Sequence, residues 1–428
     1  MSLQTHLAEI PEFRRQNKNF RHFLVDILAI SVLAVLCGAD DFEEIALFGQ
    51  QKQALLRRYL PLPYSPPSAD TIGRVFQRLD VTRFNACFLA WMHEVLPAGA
   101  TNQICVDGKT LRGSGPKALH VVSAVASASG LSLGQVAGVG KGHELGAVPD
   151  LLALLDLRGA LVSLDVLSCQ PAIAQQILDQ GGDYLLGLKA NQAALLAETE
   201  RHTDPLPATQ AWTRWAYAAD GTPVQYHVWT QTDLRWVDED GRWPGLAALV
   251  RIETTSRPAA GPPQVHQRYY LSSRAGLTPA QADGFVRGHW TIENALHWQL
   301  DVTFGEDDHH LRHHQAAQNL TLVRKMALNL YRVAMQFINV SRYPIPKHLH
   351  ILLVLVGSYV ALKGKQAPSD AAANERDPRQ VPQKESEGGR AFHSWPRSKL
   401  IVALRVRSVQ LFGQDTFRTP PKEKRAGT

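Results

Sequence analysis

Thiols are scarce in this chain. Its 428 residues include four cysteines, Cys37, Cys87, Cys105 and Cys169, and no two of them form a CxxC pair. That spacing excludes a zinc knuckle or a disulfide framework and fits a reducing compartment. Long apolar runs are missing as well. The stretch from Phe23 to Cys37 contains Asp26 and falls short of the roughly 20 residues that span a bilayer, and the run from His350 to Leu362 is no longer. The N-terminal flank is of mixed charge and makes a poor signal peptide. No membrane partner is expected, and the expected location is the cytoplasm. No HExxH or Gly-x-Ser-x-Gly signature occurs. Gly108-Lys109-Thr110 has the ending of a P-loop, but Gln103 stands where the upstream glycine is required.

A net charge of +6 and a pI near 9.1 point towards a nucleic-acid partner, but the distribution weakens that inference. After Asn339 there are 16 Lys and Arg against 7 Asp and Glu, so this tail alone carries +9 and the rest of the chain is slightly acidic. Basicity therefore belongs to the tail, and pI says nothing of DNA binding by the main body.

Periodicity divides what remains. Residues 1–98 read as an all-helical N-terminal domain. Phe23 to Leu33 has the recurrence of a buried helix, and Phe42 to Leu60 forms a second. In the helix capped by Ser68, Ile72, Val75, Phe76 and Leu79 form the inner face, while Arg74 and Arg78 stand one turn apart outside. Paired arginines there either meet phosphates or are solvated.

Residues 99–205 change to strands, in the order β-β-β-α-β-α-β-α. Gln103 to Asp107 is a short strand ending in an acid, followed by a turn at Gly108-Lys109-Thr110. Ala160 to Asp165 is the fourth strand and again ends in an acid. This order is that of a ribonuclease-H-like α/β core, in which the first and fourth strands are neighbours, setting Asp107 beside Asp165. Residues 206–276 read as a β-strand insertion, residues 277–337 as a helix bearing Glu293 and a closing helix, and residues 338–428 as an irregular, partly disordered C-terminal tail.

The stretch from Arg287 to Asp301 reads as one continuous helix. At four-residue steps His289, Glu293, His297 and Asp301 share a stripe, beside an apolar stripe of Ile292, Leu296 and Leu300. Glu293 then lies at the margin of a core, where a carboxylate is costly unless a cation or hydrogen bonds hold it. The alternative is a solvated face. Three carboxylates, Asp107, Asp165 and Glu293, make a hard-oxygen set that selects Mg²⁺, with Mn²⁺ as a substitute. Two such ions can activate an attacking hydroxyl and stabilise the leaving oxygen of a phosphodiester. The run His309-His310-Leu311-Arg312-His313-His314 is either a transition-metal cluster or a solvated segment.

At these residues the sequence resembles the DDE transposases of bacterial insertion sequences, in the H-repeat-associated subgroup. The resemblance rests on Val106-Asp107-Gly108-Lys109-Thr110-Leu111-Arg112-Gly113-Ser114, on Asp165-Val166-Leu167-Ser168-Cys169-Gln170, and on Leu188-Lys189-Ala190-Asn191-Gln192. It extends through Gly288-His289-Trp290-Thr291-Ile292-Glu293-Asn294 to Leu300-Asp301-Val302-Thr303-Phe304-Gly305-Glu306-Asp307 and covers about residues 8 to 335. It implies a catalytic and metal-binding triad of Asp107, Asp165 and Glu293, Mg²⁺-dependent cleavage at terminal inverted repeats, and strand transfer to target DNA. It also implies double-stranded DNA as partner, a homo-oligomer on DNA, and association with the bacterial nucleoid when bound.

Lys109, Arg112, Lys189, His297, Arg74 and Arg78 are the expected DNA contacts. His297 has the alternative role of holding the Glu293 rotamer, and Trp290 and Trp298 are expected to pack rather than stack on bases. Two departures stand out. Related transposases carry a basic residue where Leu300-Asp301 stands, and Asp220 to Tyr226 replaces a His-Gly-Arg-x-Glu-like motif. The tail also lacks a short basic C-terminus, which leaves a catalytically silent DNA-binding remnant, or a nuclease without strand transfer, as the alternative functions.

Overall fold

The computed structural model describes residues 3–340, apart from 18–19, 97–100, 116–117, 140–143, 219, 259–260 and 309–310. The chain divides into two units. The first, Met1–Val35 with Ala39–Val333, carries everything described below; the second comprises Leu36–Gly38 and the chain from Ala334. The expected disordered tail lies outside the described residues.

Only helices occur among the described residues before β1: α1 (Leu3–Ala8), α2 (Leu24–Leu36), α3 (Phe42–Gln51), α4 (Gln53–Leu56), α5 (Ala69–Arg78) and α6 (Val81–Val95). The expected single helix from Phe42 to Leu60 is broken at Lys52, which closes α3 and opens α4. Asp41, Ser68 and Asp80 cap α3, α5 and α6 by accepting backbone N–H groups three residues on. On α5, Ile72, Val75 and Phe76 are buried, as the periodicity predicts.

Nine strands then build one sheet in the order β3-β2-β1-β4-β5-β9-β8-β7-β6. β1 (Gln103–Leu111), β2 (Leu119–Ala126) and β3 (Ser132–Val139) form the expected antiparallel meander. After α7 (Glu144–Ala153), β4 (Leu161–Leu164) and β5 (Asp183–Leu188) add in parallel with α8 (Pro171–Asp179) between them, and α9 (Ala193–Thr203) follows. The insertion, β6 (Trp212–Tyr217), β7 (Pro223–Gln231), β8 (Ala248–Ser256) and β9 (Gln264–Ser272), continues the same sheet, because β9 pairs antiparallel with β5. Asp220 accepts the N–H of Thr222 within the β6–β7 connection.

Alternation along the central strands divides the molecule into layers. Ile104, Val106, Val162 and Leu164 join a core with Val148, Leu151, Ile173 and Ile177 of α7 and α8. Leu161 and Leu185 point the other way, into a core with Ala282 and Val286 of α10 (Pro279–His289). The long helix α11 (His314–Val340) buries Leu320, Val323 and Ala327. It also holds the N-terminal helices: Asn319, fully buried, donates to the carbonyls of Phe76 and Leu79 at 2.9 Å each, and Gln315 donates to Leu79 at 2.8 Å.

The sequence places a turn at Gly108-Lys109-Thr110, yet β1 runs straight through to Leu111. Gly108, Lys109 and Thr110 pair with Val122, Val121 and His120 of β2, and that ladder outweighs the local turn preference. Asn319→Ala leaves buried carbonyls at the end of α5 short of a donor. It is expected to cost about 1–3 kcal/mol, read as a lower denaturation midpoint with an unchanged m-value.

Candidate active site

Register does most of the work of assembly. The parallel ladder of β1 and β4 ends at Val106 opposite Leu164, so the next residues, Asp107 and Asp165, emerge side by side. Both belong to the face away from the α7–α8 core. Asp165 leaves its strand in extended conformation and accepts the N–H of Leu167 at 3.2 Å, capping a short 3₁₀ turn over Val166–Ser168. Two side chains from the stretch after β5 hold that turn: Asn191 donates to the Val166 carbonyl at 2.8 Å and Gln192 to the Cys169 carbonyl at 3.0 Å. Gly187 belongs to the same device, since a Cβ there meets Cγ2 of Val166 at 3.1 Å.

The expected continuous helix from Arg287 to Asp301 is two helices of different winding. α10 ends at His289, and residues Ile292–His297 and Gln299–Thr303 are π-helical, with the Trp298 N–H reaching the Glu293 carbonyl five residues back. Ile292, Leu296 and Leu300 are buried at four-residue steps. That step exceeds the 3.6 residues of an α turn, and wider winding keeps the apolar stripe on the sheet over several turns. Arg332 of α11 donates to the Ala295 carbonyl within the π segment and to Gly130 in the β2–β3 turn.

Three contacts in sequence lay this helix along β1. At its start, Gly288 touches the strand: a Cβ there would collide with Gln103 Oε1 and meet Ser127 Oγ at 2.8 Å, and the Gly288 carbonyl accepts from Cys105 and Ser127. Gln103 cannot step aside, because its amide donates to Ser163 and to the Phe285 carbonyl. Next, His297 Nδ1 stands 3.6 Å from Asp107 Oδ2. Burial, followed by the nearby Lys325 and Lys109 charges, drives the His297 pKa down to about 3. The ring is therefore neutral, and the approach is neither an ion pair nor a hydrogen bond at that length. Last, Asp301 pairs with Lys109.

Glu293 lies between the first two of these anchors and is exposed, and its carboxylate has no partner among the described residues. The sequence puts it at the margin of the core; the structure puts it in solvent, where no burial cost arises. The four-residue stripe is likewise corrected. His297 and Asp301 meet β1, whereas His289 turns to β4, with Nδ1 3.0 Å from Ser163 Oγ and its pKa lowered by burial to about 4. His297 faces Asp107 and not Glu293. Trp290 and Trp298, expected to pack, are 44% and 45% exposed, and Arg268 lies over the Trp290 ring at 5.7 Å.

The other expected DNA contacts are scattered. Lys109 is withdrawn from solvent by Asp301, Glu306 and Asp307, a correction to its reading as a phosphate contact. Burial opposes its charge, but Glu306 and Asp301 outweigh burial and raise its pKa. Arg112 is exposed and stands 3.7 Å from Asp307, and Lys189 is exposed just past the end of β5. Arg74 lies on the solvent side of α5 beside Asp70 at 3.7 Å, and Arg78 is over the Phe13 ring at 5.9 Å. Of the histidine run, 309–310 lie outside the described residues, and His313 accepts the Ala316 N–H at the start of α11.

Among the described residues no group of three or more His, Cys, Asp or Glu is placed to hold a metal ion. What exists is a carboxylate pair from adjacent strands with an exposed glutamate on the helix above. This donor set suits a hard divalent cation, which commonly takes one or two carboxylates and fills its remaining positions with water and phosphate. Cys105 on the same face does not compete, because burial pushes its thiol up to about 12. Sequence reasoning assigned no role to Gln103, Asn191, Gln192 or Glu306. The side-chain amides at strand ends were the available signal for the first three.

Sequence comparison gives the same frame. The profile of the family described as "Transposase DDE domain" matches residues 99–330, and one described as "DDE_Tnp_1-associated" matches residues 4–92. "Putative transposase YncI" of Escherichia coli O157:H7 is 35% identical over 348 residues, covering 77% of this chain and 87% of that one. "H repeat-associated putative transposase YhhI" of Escherichia coli K12 is 33% identical over 341 residues, covering 77% and 89%. "Inactive transposase YbfQ" of the same strain is 34% identical over 80 residues, which is 19% of this chain and 94% of that one.

Gly288→Ala forces the helix off β1 at a point where Gln103 is tied on both sides. A loss of about 1–3 kcal/mol is expected, typical of overpacking, and is measured by chemical denaturation.

Proposed function

The chain belongs to the DDE-domain transposase family, and we propose from this that it is a DNA transposase that cuts phosphodiesters at the inverted-repeat ends of its element and joins them to target DNA. The observation that carries this reading is the parallel register of β1 and β4, which sets Asp107 beside Asp165 on the face crossed by the Glu293 helix. The strand order 3-2-1-4-5 supports a ribonuclease-H-like core for that site.

Asp107 and Asp165 would hold a divalent cation between neighbouring strands, and Glu293 would complete its ligation from the helix. When bound, Mg²⁺ would supply charge for the leaving oxygen and help activate the attacking hydroxyl. The protein's part is placement. The 3₁₀ turn, pinned by Asn191 and Gln192, fixes the direction of Asp165, while His297 limits the freedom of Asp107 without adding charge. Glu293, open to solvent, is accessible to a scissile phosphate carried by a rigid duplex. Lys189 beyond β5 and Arg112 beyond β1 are exposed cations near the two strand ends and serve as backbone contacts. Arg74 and Arg78 on the helical N-terminal region are placed to hold element ends, and pairing two ends on one complex calls for a homo-oligomer.

The test is Mg²⁺-dependent nicking of DNA bearing the element's own ends. Asp107→Asn, Asp165→Asn and Glu293→Gln are each expected to lower cleavage by about a thousandfold or more while end binding stays within a few-fold. Cleavage unaffected by all three defeats the assignment. End binding without cleavage in the wild-type protein identifies a silent DNA-binding remnant, and cleavage without joining identifies a nuclease.

A further inference from the structure

The Glu293 carboxylate has no hydrogen-bond or ion-pair partner among the described residues, so its place relative to Asp107 and Asp165 is set by whatever holds the backbone on either side. Upstream the holding contact is the close approach of Gly288 to Gln103 and Cys105. Downstream, the most strongly polar contact is made by Lys109. Two residues beyond Asp107 on a straight strand, Lys109 shares its face. Its side chain is 12% exposed, and its ammonium meets Asp301 of the π segment, Glu306 Oε2 at 3.0 Å and Asp307 Oδ1 at 3.7 Å.

Glu306 is buried, with Arg324 Nη1 of α11 4.0 Å from its other oxygen. Burial alone would raise its pKa, but Lys109, Arg324 and Lys325 hold it below the usual range. One buried ammonium thus ties the strand of Asp107 to the helix of Glu293 and to the loop leading into α11.

The geometry points to Lys109 as a positioning residue: by gripping Asp301 and Glu306 it sets the height and rotation of the 292–303 helix over β1, and hence the reach of Glu293 towards the aspartate pair. This rests on the reading of Asp107, Asp165 and Glu293 as the catalytic carboxylates. A π-helical segment makes this restraint consequential, because its winding departs from the ordinary α ladder and its register needs support from outside.

Two variants test the inference in the full-length protein. Lys109→Met removes the clamp and strands buried carboxylates, so it risks folding. Asp301→Asn keeps shape at a side chain that is 35% exposed, and removes only the charge on the helix side. Hydrogen exchange of residues 292–303, Mn²⁺ binding followed by electron paramagnetic resonance, end binding, and single-turnover cleavage at saturating DNA are compared with wild type and with Glu293→Gln.

The expected result for Asp301→Asn is faster exchange confined to 292–303, weaker Mn²⁺ binding, end binding within about twofold and a cleavage rate lower by about ten- to a hundredfold. The reciprocal exchange, Lys109→Asp with Asp301→Lys, is expected to recover part of the rate. Unchanged exchange at 292–303 overturns the clamp. Weakened end binding with undiminished cleavage of bound DNA also overturns it, by making Lys109 a phosphate contact. Wild-type cleavage by Glu293→Gln removes the underlying catalytic reading instead, and the exchange of 292–303 still decides the clamp.

Discussion

Strand β1 is the constraint from which the rest follows. It pairs antiparallel with β2 on one side and parallel with β4 on the other. Antiparallel pairing carries it straight through Gly108-Lys109-Thr110, and parallel pairing fixes where β4 ends beside it. Its alternation sends Ile104 and Val106 into the α7–α8 core and leaves Gln103, Cys105, Asp107 and Lys109 on the opposite face. A slip of one residue would exchange those two sets and bury two charged groups in an apolar layer.

The cost of that arrangement is a polar face covered by helices, where every group needs a partner or must give up its charge. Gln103 spends its amide on Ser163 and the Phe285 carbonyl, and Lys109 is matched by carboxylates. The imidazoles of His289 and His297 are held neutral by burial. Lys325 of α11 is fully buried against Ser123 and Gln135 at 2.6 and 2.7 Å, and burial lowers its pKa to about 7. Ser123 is the register partner of Asp107, so this network backs the same strand. Polar contacts of this kind back the strand that carries Asp107, while Glu293 is exposed to solvent.

Much of this was legible along the chain. Alternation of period two and the β-β-β-α-β-α-β-α order suffice to set Asp107 beside Asp165, although Asp107 lies within β1 and does not close it. Each is a local pattern, and strand order in a small α/β sheet leaves few alternatives. The buried stripe Ile292, Leu296, Leu300 and the Ser68 cap were readable for the same reason. What failed were the readings that treated a side chain by its immediate neighbours. Gly108-Lys109-Thr110 has the composition of a turn, yet it is strand because β2 pairs along its whole length. Lys109 looks like a phosphate contact, yet its partners arrive from about 190 residues further on.

The sequence by itself determined most of the secondary elements, the adjacency of two aspartates and the family, because those depend on periodicity and on motifs kept in order. Only the tertiary structure decided the setting of the third carboxylate. The winding of 292–303, the exposure of Glu293, and the choice of His297 and Asp301 as the residues that meet β1 all depend on fitting one helix between a strand and α11. A four-residue stripe is compatible with α and with π winding alike, and packing against the sheet selects between them.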